Sequence, residues 1–265
     1  MTELTKVLKK EIEDFISTLK GLDRKIVTVF LAVAVLQTFS WYFTSRRFFR
    51  ENLFEYFLQH KDPYLIEYLY WFSGDFLTFV IPTIFIIKFF FKENIADYGF
   101  RLGERRQGFV LSIIFLSVMI PIIWFASSSN DFIQKYPHLS SARESWNVFI
   151  IYEFGMLVYM IGWEFIWRGF MLFGLEKKFG SYAIFIQMIP FVILHNGKPF
   201  LETLGSVPGG IALGWLALRT RSFYYCVAVH IGVMYLIDLI SVIRFRTNEY
   251  GIGIESIFNI IGHIF

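Results

Sequence analysis

One apolar stretch, Val148 to Leu175, carries charged side chains where a membrane would exclude them. The stretch is long enough to cross a bilayer as one helix, which takes roughly 20 apolar residues, yet it contains Glu153, Glu164 and Arg168. A charge near the bilayer centre costs from about 2.5 to more than 10 kcal/mol. The glutamates are eleven residues apart and Arg168 follows Glu164 by four, so all three share one helix face. This face must point at protein or trapped water, and Arg168 is close enough to pair with Glu164.

Similar apolar runs recur along almost the whole chain. Of its 265 residues, 55% are hydrophobic and 33 are Phe, which is more than a soluble core of this length needs. The pattern predicts an all-α, polytopic membrane helical bundle with about eight transmembrane helices. The predicted spans are 26–43, 76–91, 108–125, 148–175, 182–195, 211–218, 223–243 and 252 to the C-terminus. We find no internal repeat and no soluble segment, so we expect a single integral membrane domain over residues 1–265.

The polar N-terminal segment, residues 1–25, has apolar residues at helical spacing from Leu4 to Leu19. This spacing predicts an amphipathic helix from Thr2 to Lys20, lying on the membrane surface or packed on the protein itself. The net charge of +3 is mild, and the basic residues lie between apolar runs. We therefore expect membrane lipids as partners and no nucleic acid. The single cysteine, Cys226, excludes an intrachain disulfide and a Cys-based metal cluster.

Further polar residues lie in or beside the later apolar runs: His195, His230, Asp238 and Glu202. A lone histidine in a membrane helix commonly serves only to hydrogen-bond a neighbouring helix, but several ionisable groups on successive spans favour a site. Glu164, His195 and His230 are the residue types that activate water. They are also types that hold a divalent metal such as zinc, or that relay protons in a transporter. The residue types alone do not separate these functions.

Three short motifs follow one another on these predicted spans. They are Glu164-x-x-x-Arg168, Phe191-x-x-x-His195 and the membrane-embedded His230. In order and spacing they resemble the CPBP (Abi) family of CAAX prenyl endopeptidases and bacteriocin-processing enzymes, over a motif-bearing core of residues 148–240. The resemblance implies an intramembrane peptidase, in which a glutamate–histidine site cleaves a protein or peptide substrate entering from the membrane or the cytosol. It also favours a bacterial inner (plasma) membrane location.

Two positions depart from the family pattern. The first glutamate of the family's EExxxR motif, which activates water there, is Trp163 in this chain, and the polar residue four after the third-motif histidine is Met234. Tryptophan cannot act as a base. The candidate replacement carboxylates are Glu153, Glu202 and Asp238. We expect Glu202 to be the replacement, because the Gly- and Pro-rich segment 196–210 predicts a broken backbone that would turn it toward His195.

The predicted function is an intramembrane endopeptidase of the CAAX-processing type. Its catalytic residues are expected to be Glu164, Arg168, His195, His230 and Glu202; no substrate-binding residue is predicted. A divalent metal held by Glu164, His195 and His230 and a metal-free mechanism both stay open. A catalytically inactive CPBP-like protein that binds a partner, in an immunity or chaperone role, is the first alternative, because a catalytic glutamate is missing. A proton-coupled transporter is the second, although the Gly- and Pro-rich break occurs only in the second half.

Overall fold

The computed structural model describes residues 3–264. Met1 and Thr2, where the predicted amphipathic helix begins, and Phe265, where the last predicted span ends, lie outside the described residues. The principal helices are α1 (Glu3–Lys20), α2 (Arg24–Asn52, bent at Ser45), α3 (Pro63–Phe91), α4 (Arg105–Ala126), α5 (Trp146–Phe179), α6 (Tyr182–Ile193), α7 (Phe200–Thr220), α8 (Tyr224–Thr247) and α9 (Ile254–Ile264). Short helices Asn130–Lys135 and Ser141–Glu144 lie in the connection between α4 and α5.

The predicted all-α membrane bundle is confirmed. Residues 3–264 contain helices and turns and no strand, and six of the helices are long and apolar enough to cross a bilayer, namely α2, α3, α4, α5, α7 and α8. The apolar helix α6 has 12 residues and α9 has 11. At 1.5 Å per residue, neither reaches across a hydrocarbon core of about 30 Å.

Two helices begin earlier than their hydropathy suggests. Helix α3 begins at Pro63, where the Asp62 side chain accepts a hydrogen bond from the backbone N–H of Leu65 at 2.9 Å; a capping aspartate followed by proline is a strong start signal. Helix α7 begins at Phe200 and continues through Pro208. The expected break over 196–210 is therefore wrong beyond residue 199. A proline inside a membrane helix removes one backbone hydrogen bond, which packing against neighbours compensates.

Helix α5 is the centre of the bundle and is buried along most of its length. It packs on α3 through glycines, since a Cβ atom placed on Gly162 would lie 2.8 Å from the Cα of Phe76. Aromatic rings fill the same interface, where Phe72 of α3 meets Tyr152 and Tyr159 of α5 at ring-centroid distances of 5.6 and 5.5 Å. Small residues that let helix backbones approach are the usual device of membrane helix packing.

Helix α8 also contacts α5, and its start is fixed by the loop before α4. The backbone N–H of Glu104 donates to the carbonyl of Thr220 at 2.9 Å, and the hydroxyl of Tyr225 donates to the carbonyl of Leu102 at 2.8 Å. Both bonds hold the turn between α7 and α8. They fix the position from which α8 presents His230 to α5.

Candidate active site

Glu164 and Arg168 form an ion pair in the interior of the bundle. Arg168 Nη1 donates to Glu164 Oε1 at 2.9 Å, and both side chains are fully buried. The backbone of α5 widens into a π-helical segment, Phe165–Met171, directly after Glu164. Such segments are rare and are frequent at functional sites. The structure thus contains the pair that the spacing of four residues predicts.

His230 brings helix α8 to the same carboxylate. Its Nδ1 lies 2.6 Å from Glu164 Oε1, so one carboxylate oxygen receives both the guanidinium and the imidazole. The two residues are 66 positions apart in the chain. A carboxylate accepts, so Nδ1 carries the hydrogen, and in the neutral imidazole Nε2 has the free lone pair. No hydrogen bond among the described residues uses His230 Nε2.

His195 lies beside this pair at the end of α6. Its Nδ1 donates to the carbonyl of Phe191 at 2.7 Å, and its side chain is largely buried. The backbone carbonyl fixes the tautomer, so Nε2 of His195 is also a free acceptor. The His195 and His230 rings are nearly parallel, with centroids 6.5 Å apart. The two imidazoles therefore stand next to each other on separate helices.

The ring of Phe191 contacts each of the three cationic or imidazole groups. It lies 4.4 Å from the His195 ring, 5.9 Å from the His230 ring and 4.0 Å from the Arg168 guanidinium carbon. A guanidinium over an aromatic face is attracted by the ring quadrupole. Sequence reasoning used Phe191 only as a motif position. The signal that could have found its role was its spacing of four residues from His195, which puts both on one face of α6.

Trp163 occupies a closed aromatic cluster next to the site. Its ring is 5.6 Å from Tyr159, 5.7 Å from Trp167 and 6.3 Å from Phe191, measured between centroids. The side chain is 8% exposed. The position of the family's water-activating glutamate is therefore filled by a packed apolar ring.

Several buried polar atoms on α5 and α6 have no hydrogen-bond partner among the described residues. They are Glu164 Oε2, Arg168 Nε and Nη2, Trp167 Nε1 and Gln187 Oε1. Buried polar groups in folded proteins are almost always satisfied, by protein or by ordered water. The free donors of Arg168 and the free oxygen of Glu164 are groups that a water molecule or a substrate carbonyl would use.

The remaining candidate carboxylates lie elsewhere. Glu202 accepts from the hydroxyl of Tyr136 and pairs with Lys198 at 2.9 Å, so its two oxygens face these residues and contact neither imidazole. Glu153 and Asp238 face each other across α5 and α8. The structure therefore brings together Glu164, Arg168, His195 and His230, and places Glu202 in a neighbouring polar network. The role of Glu202 stays a prediction.

The metal hypothesis requires a converging ligand set. Glu164 Oε1 is already bound by Arg168 and His230, and within residues 3–264 no group of three or more His, Cys, Asp or Glu side chains is arranged to hold a metal ion. A catalytic zinc site uses three protein ligands at about 2.0–2.3 Å. The metal-bound and the metal-free mechanisms both stay predictions.

Comparison with known proteins points to one family. Residues 145–236 match the model of the type II CAAX prenyl endopeptidase Rce1-like family. No curated protein and no solved structure matches the chain significantly. The matched segment runs from the start of α5 into α8 and includes all the motif residues. Residues 145–236 are thus similar to the Rce1-like family and lie within an integral membrane protein, in agreement with the resemblance to the CPBP family.

Proposed function

We propose that this protein is an intramembrane endopeptidase of the CAAX-processing type, which hydrolyses a peptide bond of a protein or peptide substrate with water activated at a glutamate–histidine site. The observation that carries the proposal is the contact between His230 Nδ1 and Glu164 Oε1 at 2.6 Å. A carboxylate on one imidazole nitrogen fixes the tautomer and makes the other nitrogen a base. The family match supports the same reaction class.

In the proposed reaction, His230 Nε2 takes a proton from water as the oxygen attacks the scissile carbonyl. Glu164 stabilises the imidazolium that forms, and Arg168 keeps Glu164 ionised. His195 Nε2 accepts the second hydrogen of the water and orients it. The tetrahedral intermediate then collapses, the carbon–nitrogen bond breaks, and the imidazolium of His230 returns its proton to the leaving amine. The base is therefore an imidazole, which makes a carboxylate at position 163 dispensable.

The developing oxyanion needs donors in a dry environment. Arg168 Nε and Nη2 and Trp167 Nε1 are buried donors without a partner among the described residues; they belong to the arginine of the ion pair and to the residue before it in the chain. Donors aimed at the charge of a transition state are worth about 10²–10³ in rate for each donor. These three groups are the proposed source of that stabilisation.

The alternative of an inactive, partner-binding protein is favoured by one observation. Trp163 is packed against Tyr159, Trp167 and Phe191, so the side chain that replaces the family's glutamate serves as packing for the ring that contacts both histidines. A membrane protein that keeps the scaffold for binding would tolerate this replacement. The two functions differ in whether the purified protein cleaves anything.

The test uses the purified full-length protein in lipid vesicles with fluorogenic peptides ending in a CAAX sequence, prenylated and unprenylated. We expect cleavage by wild type, and a loss of about 10²–10⁴-fold in E164Q, H195Q and H230Q, the range for a positioned acid or base. The exposed His60 supplies the matched control H60Q, which should cleave at the wild-type rate. E202Q tests the carboxylate predicted from sequence. A chelator and added zinc test for a metal.

The results of this test distinguish the proposed mechanism from its alternatives. Cleavage that survives in H230Q and E164Q contradicts the proposed base. A folded wild-type protein that cleaves no peptide of the series, prenylated or not, favours the partner-binding alternative. Loss of cleavage in E202Q alone would return the role of base to Glu202, and loss on chelation with recovery on zinc would require a metal.

A further inference from the structure

Two carboxyl groups lie side by side in the bundle, away from the site above. Glu153 projects from α5 and Asp238 from α8, and they are 9% and 0% exposed. The two carboxyl groups are neighbours at the contact between α5 and α8. None of their four oxygens receives a hydrogen bond from an N–H or O–H donor of the described residues.

The other acidic residues buried in this bundle accept hydrogen bonds from nearby donors. Glu164 is bound by Arg168 and His230. Asp75 accepts hydrogen bonds from Ser40, Thr44 and Trp71. Glu67 accepts hydrogen bonds from Arg46 and Arg50. Elsewhere among the described residues, the chain thus supplies hydrogen-bond donors wherever it buries a side-chain carboxyl group. The pair of Glu153 and Asp238 is the exception.

The chemistry of the pair follows from this lack of donors. Two ionised carboxylates side by side in an apolar interior repel each other and have both lost their hydration. A hydrogen bond between two carboxyl groups requires that one of them carries a proton. A third group, the fully buried Tyr152 hydroxyl, also lacks a hydrogen-bond partner among the described residues.

We infer that Glu153 and Asp238 form a buried proton-binding site, which holds one proton at neutral pH and joins α5 to α8. The proton replaces repulsion by a hydrogen bond between the helices. The surrounding groups do not supply an alternative positive charge in contact with the pair, since Lys198 is paired with Glu202 at 2.9 Å and Arg143 donates to backbone carbonyls. The titratable groups near the pair are Tyr152 on α5 itself and, from neighbouring elements, Tyr68, Tyr136, Arg143, Lys198 and Glu202.

The site lies on the same helix pair as Glu164 and His230. Along α5, Glu153 and Glu164 are eleven residues apart, which is about 16 Å of helix. Along α8, His230 and Asp238 are eight residues apart, which is about 12 Å. The pairing of 164 with 230 and of 153 with 238 shows that α5 and α8 run antiparallel here. A loss of the proton would therefore push apart the helices that hold the carboxylate–imidazole contact. The inference itself does not require that the protein be a peptidase.

Infrared spectroscopy of the full-length protein in lipid vesicles detects the proton directly. We expect wild type at neutral pH to show the carbonyl stretch of a protonated carboxyl group, which shifts on exchange into D₂O. The band should be absent in D238N and in E153Q, since an amide can donate to a carboxylate without a proton. The exposed Glu144, just before α5, gives the matched control E144Q, which should keep the band. Absence of the band in wild type, or its persistence in both variants, overturns the inference.

Thermal unfolding in the same vesicles measures the energetic consequence. The pair is protonated in the fold, whereas in the unfolded chain both carboxyls ionise, so the stability should fall as pH rises. Between about pH 7 and about pH 9, we expect the wild-type midpoint to fall by roughly 5 °C more than that of D238N or E153Q. Equal slopes contradict the inference. Recovery of the wild-type midpoint at high pH with added sodium or calcium would show a cation site instead. If one variant does not fold, the other variant and the D₂O shift of the wild-type band still test whether the pair holds a proton.

Discussion

At the scale of single residues, the site depends on which nitrogen of each histidine is occupied. Glu164 takes Nδ1 of His230 and the Phe191 carbonyl takes Nδ1 of His195, so both imidazoles offer Nε2. A sequence states the presence of two histidines but not their tautomers, which their hydrogen-bond partners in the fold determine. The ion pair of Glu164 with Arg168 was predictable because four residues separate them on one helix. Its contact with His230 was not, because 66 residues intervene.

Position 163 tests whether a carboxylate beside the histidines adds to catalysis. We expect W163E to raise the cleavage rate by about 10²-fold, the lower range for a positioned base, and to lower the unfolding midpoint because a charge is buried without a donor. The control is W163Q, which has nearly the same shape and no base. An unchanged or lower rate in folded W163E would show that position 163 does not face the reacting water.

At the scale of helices, hydropathy identified each apolar segment, and the structure changed mainly their boundaries. Helix α7 continues through Pro208 because one missing backbone bond costs less than unwinding the helix in a bundle. This is why Glu202 lies in the first turn of α7, bonded to Tyr136 and Lys198, and does not turn back toward His195. The loop residue Tyr136 could not be foreseen as its partner, since 66 positions separate it from Glu202.

The approach of α3 to α5 depends on Gly162. A Cβ at this position would lie 2.8 Å from the Cα of Phe76, and a backbone atom cannot move aside as a side chain can. We expect G162A to lower the free energy of unfolding by about 1–3 kcal/mol. In G209A no atom lies within 4 Å of the added Cβ, so this control should be neutral or slightly more stable. Thermal unfolding in detergent checks both, and equal midpoints would contradict the packing described.

The N-terminal helix α1 presents an apolar face that no other described part of the chain covers. All its residues are exposed, and only three residues separate it from the membrane helix α2. We expect α1 to lie in the headgroup region of the bilayer. A nitroxide at F15C, on the apolar face, should be accessible to oxygen and protected from a polar relaxant, and one at K10C the reverse; the native Cys226 is buried. Equal accessibility at both positions would contradict this placement.

At the scale of the whole molecule, α5 is the central helix and presents buried polar side chains at two places along its length. One end of its polar face meets His230 through Glu164, and the other meets Asp238 through Glu153. The sequence predicted the polar face of α5 but not its partners, because helix spacing specifies which residues share a face and tertiary packing determines what that face meets. This integral membrane bundle, whose residues 145–236 match the Rce1-like family model, therefore carries a carboxylate–imidazole site and, farther along the same two helices, a carboxyl pair.

The most direct test of the central claim is the mass of the cleavage product in heavy-oxygen water. Purified wild type in lipid vesicles, given a prenylated CAAX peptide in H₂¹⁸O, should release a product with one heavy oxygen at its new carboxyl terminus. H230Q should form this product at least about 10²-fold more slowly. Product formation by H230Q at the wild-type rate, or no product from folded wild type with any peptide of the series, would contradict the proposal that Glu164 and His230 activate water in this bundle.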